Sequence, residues 1–158
     1  MEYTPQIMLL VAMINTTPGG YNLMQKSIVE GFINALQHKD TNALSTLLDQ
    51  QVSVFQPMTF SGSSIPEVQF VGKDTVLGYL QQVFTHMAQI RFVNHKLSLA
   101  HNGNILFFEA IGDFVTATNA PYKNVYVFKF ELRDSKIVHI TEYANPVTYA
   151  IAFGVKLG

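Results

Sequence analysis

Two alternating runs of residues, joined by a short polar turn, constrain the fold of this chain more than any other feature of its sequence. In the first run, residues 122–132, the aromatic side chains of Tyr126, Phe128 and Phe130 occupy every second position. This is the two-residue period of a β-strand that has one buried face. A second alternating run follows the polar turn at residues 133–136. The segment therefore predicts a long β-hairpin.

The second strand of this hairpin carries an acidic residue on a face that is otherwise apolar. Glu142 is predicted to share that face with Val138, Ile140 and Ala144. Burying an unpaired carboxylate among apolar side chains is costly. Glu142 is therefore expected to line a core or a cavity, unless this face of the sheet is exposed to water, and it is the main candidate for a catalytic residue.

The composition predicts one domain, residues 1–158, that is long enough to bury a substantial core. Hydrophobic residues make up 48% of the chain and charged residues 13%, and the formal net charge is −1. This balance gives no electrostatic reason for binding nucleic acid or an anionic membrane, and it favours a small apolar ligand or a partner subunit. The chain has no Cys, which excludes disulfides, thiolate metal ligands and a cysteine nucleophile.

Both ends of the chain are predicted to form arms, at residues 1–20 and 147–158. The apolar run at residues 7–14 is too short to span a bilayer, and Glu2 precedes it in place of the basic residues of a secretory signal. These features favour a cytoplasmic protein without a membrane segment. A loop rich in Ser, Gly and Pro at residues 59–66 is a candidate lid over a cavity.

The order of the predicted elements indicates an α+β fold. Helical spacing is present at residues 23–38, and again after Asp40 and after Gly72. Strands are predicted at residues 51–56 and throughout the region that follows Ile90. We therefore expect about three N-terminal helices packed on one face of a curved antiparallel sheet.

The strand predicted at residues 105–117 is apolar on both of its faces. A sheet that packs only one face against its own helices would leave the other apolar face in contact with water. Proteins often cover such a face with a second subunit. The chain is therefore predicted to be a homodimer.

Two short motifs and the order of elements resemble a known superfamily. The motifs are Gly72-Lys73-Asp74, before the third helix, and Glu-Tyr-Ala-Asn-Pro at residues 142–146. Over residues 23–146 the chain resembles the cone-shaped α+β proteins of the nuclear transport factor-like superfamily, and within it the SnoaL-like polyketide cyclases, the phenazine-biosynthesis branch and relatives of ketosteroid isomerase. The resemblance implies an isomerase, cyclase or dehydratase that acts on a small apolar substrate without a cofactor. The superfamily also includes binding modules that catalyse no reaction.

The resemblance does not extend to the catalytic residues of ketosteroid isomerase. The aspartate that precedes a proline and shuttles the proton in those enzymes falls on Gln56, which precedes Pro57. An amide cannot act as a general base near neutral pH. Their helix-one tyrosine falls on Phe32, which has no hydroxyl, and their protonated aspartic acid falls on Tyr126, whose phenol could still donate a hydrogen bond. The chain is therefore not expected to be a standard ketosteroid isomerase.

At Glu142 the chain is similar to the phenazine branch, in which an acidic residue before the aromatic residue and Asn-Pro of the last strand donates or accepts a proton. The resemblance implies that Glu142 and Tyr126 face the same cavity, where burial would raise the pKa of the carboxyl toward neutrality. The alternative is a structural carboxylate, satisfied by Tyr126 or a backbone amide, in a protein that binds a ligand or a partner without turnover.

The cavity implied by the resemblance has a predicted lining as well as a predicted catalytic pair. The predicted ligand-binding residues are Phe32, Phe55, Gln56, Val83, His86, Phe128 and Ile140. The apolar members of this set would be ordinary core residues if no cavity exists. The five His residues lack the HExxH pattern and any other close ligand spacing, so no metal site is predicted.

Overall fold

The computed structural model describes residues 18–58, 68–100 and 102–155. These residues form four helices, α1 (Pro18–His38), α2 (Thr41–Leu47), α3 (Lys73–His86) and α4 (Pro146–Phe153). They also form seven strands, β1 (Leu48–Gln56), β2 (Val68–Val71), β3 (Met87–Gln89), β4 (Phe92–Leu99), β5 (Ile105–Thr116), β6 (Pro121–Arg133) and β7 (Lys136–Ala144). Most of the predicted N-terminal arm and the whole predicted lid at residues 59–66 lie outside the described residues.

Local sequence signals explain where three of the helices begin. Asp40 caps α2, because its side chain accepts a hydrogen bond at 2.9 Å from a backbone N–H of the first turn. Gly72 precedes α3 with a φ of 91°, a conformation that favours glycine. Asn145 caps α4 by accepting a hydrogen bond from the N–H of Val147 at 3.0 Å. The predicted C-terminal arm at residues 147–158 is therefore helical in its first part.

The strands form one seven-stranded sheet in the order β2-β1-β7-β6-β5-β3, and β4 also pairs with β5. All paired strands are antiparallel except β1 and β7, which run parallel. The expectation of a wholly antiparallel sheet is wrong at this one pair. Because no hairpin turn connects β1 to β7, nothing in the local sequence fixes their relative direction. The described residues form four helices, whereas about three N-terminal helices were expected. Of these four, α3 follows β2 and α4 follows the sheet.

The predicted hairpin is formed by β6 and β7, with one irregularity. Glu131 pairs with His139, but the next residue of β6 pairs with Ile137, so Val138 is an extra residue, as in a β-bulge. The bulge places Ile137 in the core together with Ile140, whereas Val138 is only half-buried. The expectation that Val138 belongs to the buried face is therefore wrong, because strict alternation does not continue through a bulge.

Helices α1 and α3 pack on one side of the sheet and bury a single hydrophobic core. Its aromatic part surrounds Phe92, whose ring lies edge-on to the rings of Phe108, Phe114, Tyr126 and Phe128 with centroid distances of 5.2 to 5.8 Å. The described residues thus form one sheet and one core. None of the described helices is long and apolar enough to cross a lipid bilayer.

Candidate functional site

A cavity of about 210 Å³ lies between the helices and the sheet. Eighteen of the described residues line it, and eight of these are aromatic. The aromatic lining consists of Phe32, Phe92, Phe114, Phe128, Tyr79, Tyr122, Tyr126 and Tyr149. Glu142 is the single acidic residue among the described lining residues, which include no Lys, Arg or His. Such a wall suits a largely apolar molecule with a few polar anchoring points.

The carboxyl of Glu142 is held by two neutral donors. The side-chain amide of Gln56 donates to Glu142 Oε2 at 2.9 Å and to the hydroxyl oxygen of Tyr79 at 2.8 Å. The hydroxyl of Tyr79 in turn donates to the same Oε2 at 3.3 Å. The ring of Tyr79 is fixed by stacking on Phe70 of β2, with centroids 4.2 Å apart. The three polar side chains therefore form a closed hydrogen-bonded triangle in the cavity wall.

The parallel pairing of β1 and β7 creates this arrangement. Val54 on β1 pairs with Ile140 on β7, and both side chains line the cavity. Two residues further along each parallel strand, Gln56 and Glu142 lie next to each other on the same face. The third member, Tyr79, comes from α3, which packs over β1 and β2. The Glu142 site therefore depends on contacts between three separate elements.

Burial dominates the electrostatics of the triangle. Burial raises the pKa of Glu142 above its ordinary value, and the hydrogen bonds from Gln56 and Tyr79 offset only part of that rise because they favour the ionised form. The pKa of Tyr79 is raised well above its ordinary value, first by burial and then by the negative charge of Glu142. Tyr79 therefore remains a neutral hydrogen-bond donor at neutral pH, whereas Glu142 is the group that can change its charge.

Tyr126 belongs to a second polar cluster of the wall, which is held mainly by ring packing. Its ring stacks on Phe128 and on Phe114, with centroids 5.5 and 5.6 Å apart. Its hydroxyl donates to the hydroxyl oxygen of Tyr122 at 3.5 Å, which is a long bond. Burial raises the pKa of both Tyr126 and Tyr122. Both phenols therefore stay protonated at neutral pH.

Asn124 connects this second cluster to helix α4. Its buried amide donates to the hydroxyl oxygen of Tyr122 at 2.8 Å and to the backbone oxygen of Asn145 at 3.0 Å. Its side-chain oxygen accepts from the backbone N–H of Asn145 at 3.1 Å. Because Asn145 caps α4, these bonds fix the start of the helix that brings Tyr149 to the cavity wall.

Seven of the nine residues predicted for the site line the cavity. They are Phe32, Gln56, Val83, Tyr126, Phe128, Ile140 and Glu142. The other two lie outside this lining. Phe55 lies on the opposite face of β1, because it falls between Val54 and Gln56 in a strand whose side chains alternate. His86 is exposed at the end of α3, where its Nδ1 lies 2.7 Å from the backbone oxygen of Gln82.

The sequence reasoning missed several lining residues, of which Tyr79 matters most. Tyr79 lies three residues after Val76 and four before Val83, so the helical spacing already placed it on the same face as these apolar residues. Tyr149 lies in the segment that was expected to be a C-terminal arm, and the Asn-Pro pair before it was the available sign of a helix start.

The polar side chains of the cavity wall suit an organic molecule better than a metal ion. No group of three or more His, Asp or Glu residues among the described parts of the chain is arranged to hold a metal. Among the described lining residues, the carboxyl of Glu142 stands with phenols, one amide and apolar side chains, and no second carboxylate, His or Cys accompanies it as a metal ligand.

The four helices and the mixed, open sheet form the nuclear transport factor-like α+β fold that the sequence predicts. The family model of the SnoaL-like domain matches residues 29–140, so the chain belongs to the SnoaL-like family. No curated protein is similar enough in sequence to match the chain.

Several solved structures share this fold over most of the chain. A Bacillus subtilis protein provisionally named an isomerase has a TM-score of 0.75 and 22% identity, covering 87% of this chain and 97% of that one. A phenazine biosynthesis-related protein of Pseudomonas aeruginosa has a TM-score of 0.72 and 18% identity, covering 87% and 85%. A Catenulispora acidiphila protein with a ketosteroid isomerase-like fold, in complex with trimethylamine, has a TM-score of 0.65 and 15% identity, covering 82% and 93%. At these identities the similarity establishes the fold alone.

Proposed function

We propose that the chain binds a small, largely apolar molecule in this cavity and exchanges a proton with it through Glu142. The observation that carries the proposal is the position of the Glu142 carboxyl, which lines an aromatic cavity while Gln56 and Tyr79 hold one of its oxygens. Trimethylamine in one similar structure supports the binding of small molecules by this fold. The proton transfer would serve isomerisation, dehydration or ring closure without a cofactor.

Glu142 has the chemistry of a group that can both accept and return a proton. Its raised pKa brings the protonated and ionised forms closer in free energy at neutral pH, which suits general acid–base catalysis. Both of its hydrogen bonds go to Oε2, and no donor among the described residues contacts Oε1. We assign proton transfer to this carboxyl, and we assign Gln56 and Tyr79 as its positioning residues.

Tyr126 is proposed to bind a polar oxygen of the ligand. Its hydroxyl makes a bond of 3.5 Å to Tyr122, and a ligand oxygen at a shorter distance would be a better acceptor. Because burial raises the pKa of Tyr126, the phenol remains a donor throughout the neutral range. Tyr122 would keep the hydrogen bond that it accepts from Asn124 at 2.8 Å.

A second candidate function is that of a ligand-binding or dimerisation module without turnover. The outer face of the sheet carries apolar side chains at Ile111, Val125 and Tyr143, which are 38, 60 and 41% exposed. Ile111 and Val125 are register partners, and Tyr143 pairs with Val127, the next residue of β6 on that face. A homodimer formed through this patch would remove it from water. Sedimentation equilibrium of the unaltered chain and of Val125→Lys would test the dimer, which the added charge should weaken.

Replacing Glu142 with Gln tests the proposed proton transfer, because the change keeps the size of the side chain and removes the titrating group. Native mass spectrometry of the purified protein first identifies a co-purifying molecule, and calorimetry then measures its binding to each variant. We expect binding to persist while turnover falls by about 100-fold or more.

Glu30→Gln is the matched control, since Glu30 is exposed on α1, and it should alter neither binding nor turnover. Undiminished turnover in Glu142→Gln would contradict the proposal. A molecule that is bound by all three proteins and converted by none would support the second candidate function.

A further inference from the structure

The carboxyl of Glu142 has no positively charged partner among the described residues. The three ion pairs of those residues have Asp113 or Glu131 as their acid. No Lys, Arg or His belongs to the described lining of the cavity. Residues 1–17 and 59–67 contain none of these residue types either, and the two such residues outside the described ranges are His101 and Lys156.

The protein nevertheless provides hydrogen bonds that favour the ionised form of this carboxyl. Gln56 and Tyr79 both donate to Oε2, at 2.9 and 3.3 Å. Oε1 receives no donor from the described residues, although a buried carboxylate is costly unless its charge is paired and its oxygens are hydrogen-bonded. One oxygen of the carboxyl is therefore held by the protein, and the other is open to a donor from a bound molecule.

The rest of the wall also favours a cation. Eight of the eighteen lining residues are aromatic, and the faces of such rings attract ammonium groups that lie within about 6 Å of the ring centroid. An anionic ligand would be repelled by the ionised carboxyl. A neutral ligand would give no compensation for the charge of an ionised Glu142, whereas a cation would stabilise that form.

We infer that the ligand of this cavity carries a protonated amine, whose N–H binds Glu142 Oε1 while its apolar body packs against the aromatic rings. The inference rests on the proposed function, because it names the class of molecule that the same cavity takes. It goes further by specifying the sign of the ligand's charge and the oxygen that recognises it.

Three probes of similar size test the inference by calorimetry at neutral pH: benzylamine, benzyl alcohol and benzoate. Benzylamine should bind at least about tenfold more tightly than benzyl alcohol, because a hydrogen bond between charged groups is stronger than one with a neutral partner. Benzoate should bind most weakly. In Glu142→Gln the preference for the amine should disappear, whereas Glu30→Gln should retain it.

Two outcomes would overturn the inference and leave the proposed function to its own test. One is that benzyl alcohol binds as tightly as benzylamine, and the other is that the preference for the amine survives in Glu142→Gln. Failure of all three probes to bind would also reject the inference. Identification of the co-purifying molecule would then still decide whether the cavity binds a ligand.

A permanently charged probe separates the titration of Glu142 from that of the ligand. Within the described residues, the titratable groups that face Glu142 are Tyr79 on α3, Tyr122 and Tyr126 on β6, and Tyr149 on α4, all of them phenols. The affinity for benzyltrimethylammonium should therefore rise with pH as Glu142 ionises, and it should not depend on pH in Glu142→Gln. An affinity that is independent of pH in the unaltered protein would contradict the inference.

Discussion

The two polar clusters of the cavity wall are held by different forces. Glu142 is fixed by hydrogen bonds from Gln56 and Tyr79, which belong to other elements of the fold. Tyr126 and Tyr122 come from the same strand and are fixed mainly by the packing of their rings. The first cluster contains a group that can change its charge, whereas the second keeps its phenols neutral. We therefore expect turnover to depend on the first cluster. The shape of the cavity is expected to depend on the second.

Turnover should show the largest difference between the clusters. Glu142→Gln should lower turnover of the co-purifying molecule by about 100-fold or more, because it removes the proton-transfer group. Tyr126→Phe should lower it by less than about tenfold, since the hydroxyl that it removes makes a bond of only 3.5 Å. Steady-state kinetics of both variants measure this difference. Equal losses would mean that Tyr126 takes part in the chemistry as much as Glu142 does.

Packing around Tyr126 should be the next most sensitive feature. A Cβ added at Gly112 would lie 2.6 Å from Cε2 of Tyr126, so Gly112→Ala should lower the free energy of unfolding by about 1–3 kcal/mol. Gly78→Ala is the matched control, because Gly78 lies in α3 with no heavy atom within 4 Å of the added Cβ. That change should be neutral or stabilise by up to about 1 kcal/mol. Urea denaturation measures both, and similar losses would contradict the tight packing of Tyr126.

The Glu142 cluster should make stability depend on pH. The pKa of Glu142 in the folded protein is raised above its ordinary 4.5, so the folded protein holds this proton where the unfolded chain has lost it. The resulting stabilisation is fully present below pH 4.5 and is lost as the pH rises through the folded pKa. Between the two pKa values the loss is about 1.4 kcal/mol per pH unit.

Urea denaturation at several pH values tests this dependence. The free energy of unfolding of the unaltered protein, minus that of Glu142→Gln, should decrease as the pH rises. Glu30→Gln should follow the unaltered protein throughout, because its position is exposed on α1. A difference that stays constant with pH would show that Glu142 titrates in the same way in the folded and unfolded states.

The smallest expected effect is a change in the pKa of Glu142 itself. Tyr79→Phe should raise this pKa further, because the hydroxyl that it removes favours the ionised carboxyl. Tyr126→Phe should leave it nearly unchanged. Infrared spectroscopy across a pH series follows the band of the protonated carboxyl, which Glu142→Gln identifies by removing it. A lowered pKa in Tyr79→Phe would contradict the role of that hydroxyl.

Local sequence patterns predicted the hairpin well, because the alternation of residues along a strand determines which side chains share a face. The alternation of Tyr126, Phe128 and Phe130 correctly assigned their buried face, and all three side chains are at most 7% exposed. The same alternation showed that Phe55 and Gln56, as consecutive residues of one strand, could not both face a cavity. A prediction that places both residues in the lining is therefore inconsistent with this alternation. Of the two, Gln56 lines the cavity.

The arrangement of the Glu142 cluster could not be derived from local patterns. The sequence identified Glu142 as a candidate, but it gave no reason to place Tyr79 beside it or to pair β1 with β7 in parallel. These contacts depend on how separate elements pack, and a strand's own residues do not encode the direction of a distant partner. The resemblance to the superfamily supplied the fold, and the hydrogen-bonding partners of the carboxyl required the three-dimensional structure.

The parallel pairing of β1 and β7 affects how the protein folds during synthesis. Gln56 and Glu142 are 86 positions apart, so the carboxyl acquires its amide donor only when the late part of the chain returns to an early strand. Closing so long a loop carries an entropic cost and gives a high contact order, which slows folding. On the ribosome, a nascent chain would already contain the amide and the phenol long before the acid is synthesised. The carboxyl of Glu142 is therefore the last member of its cluster to be synthesised.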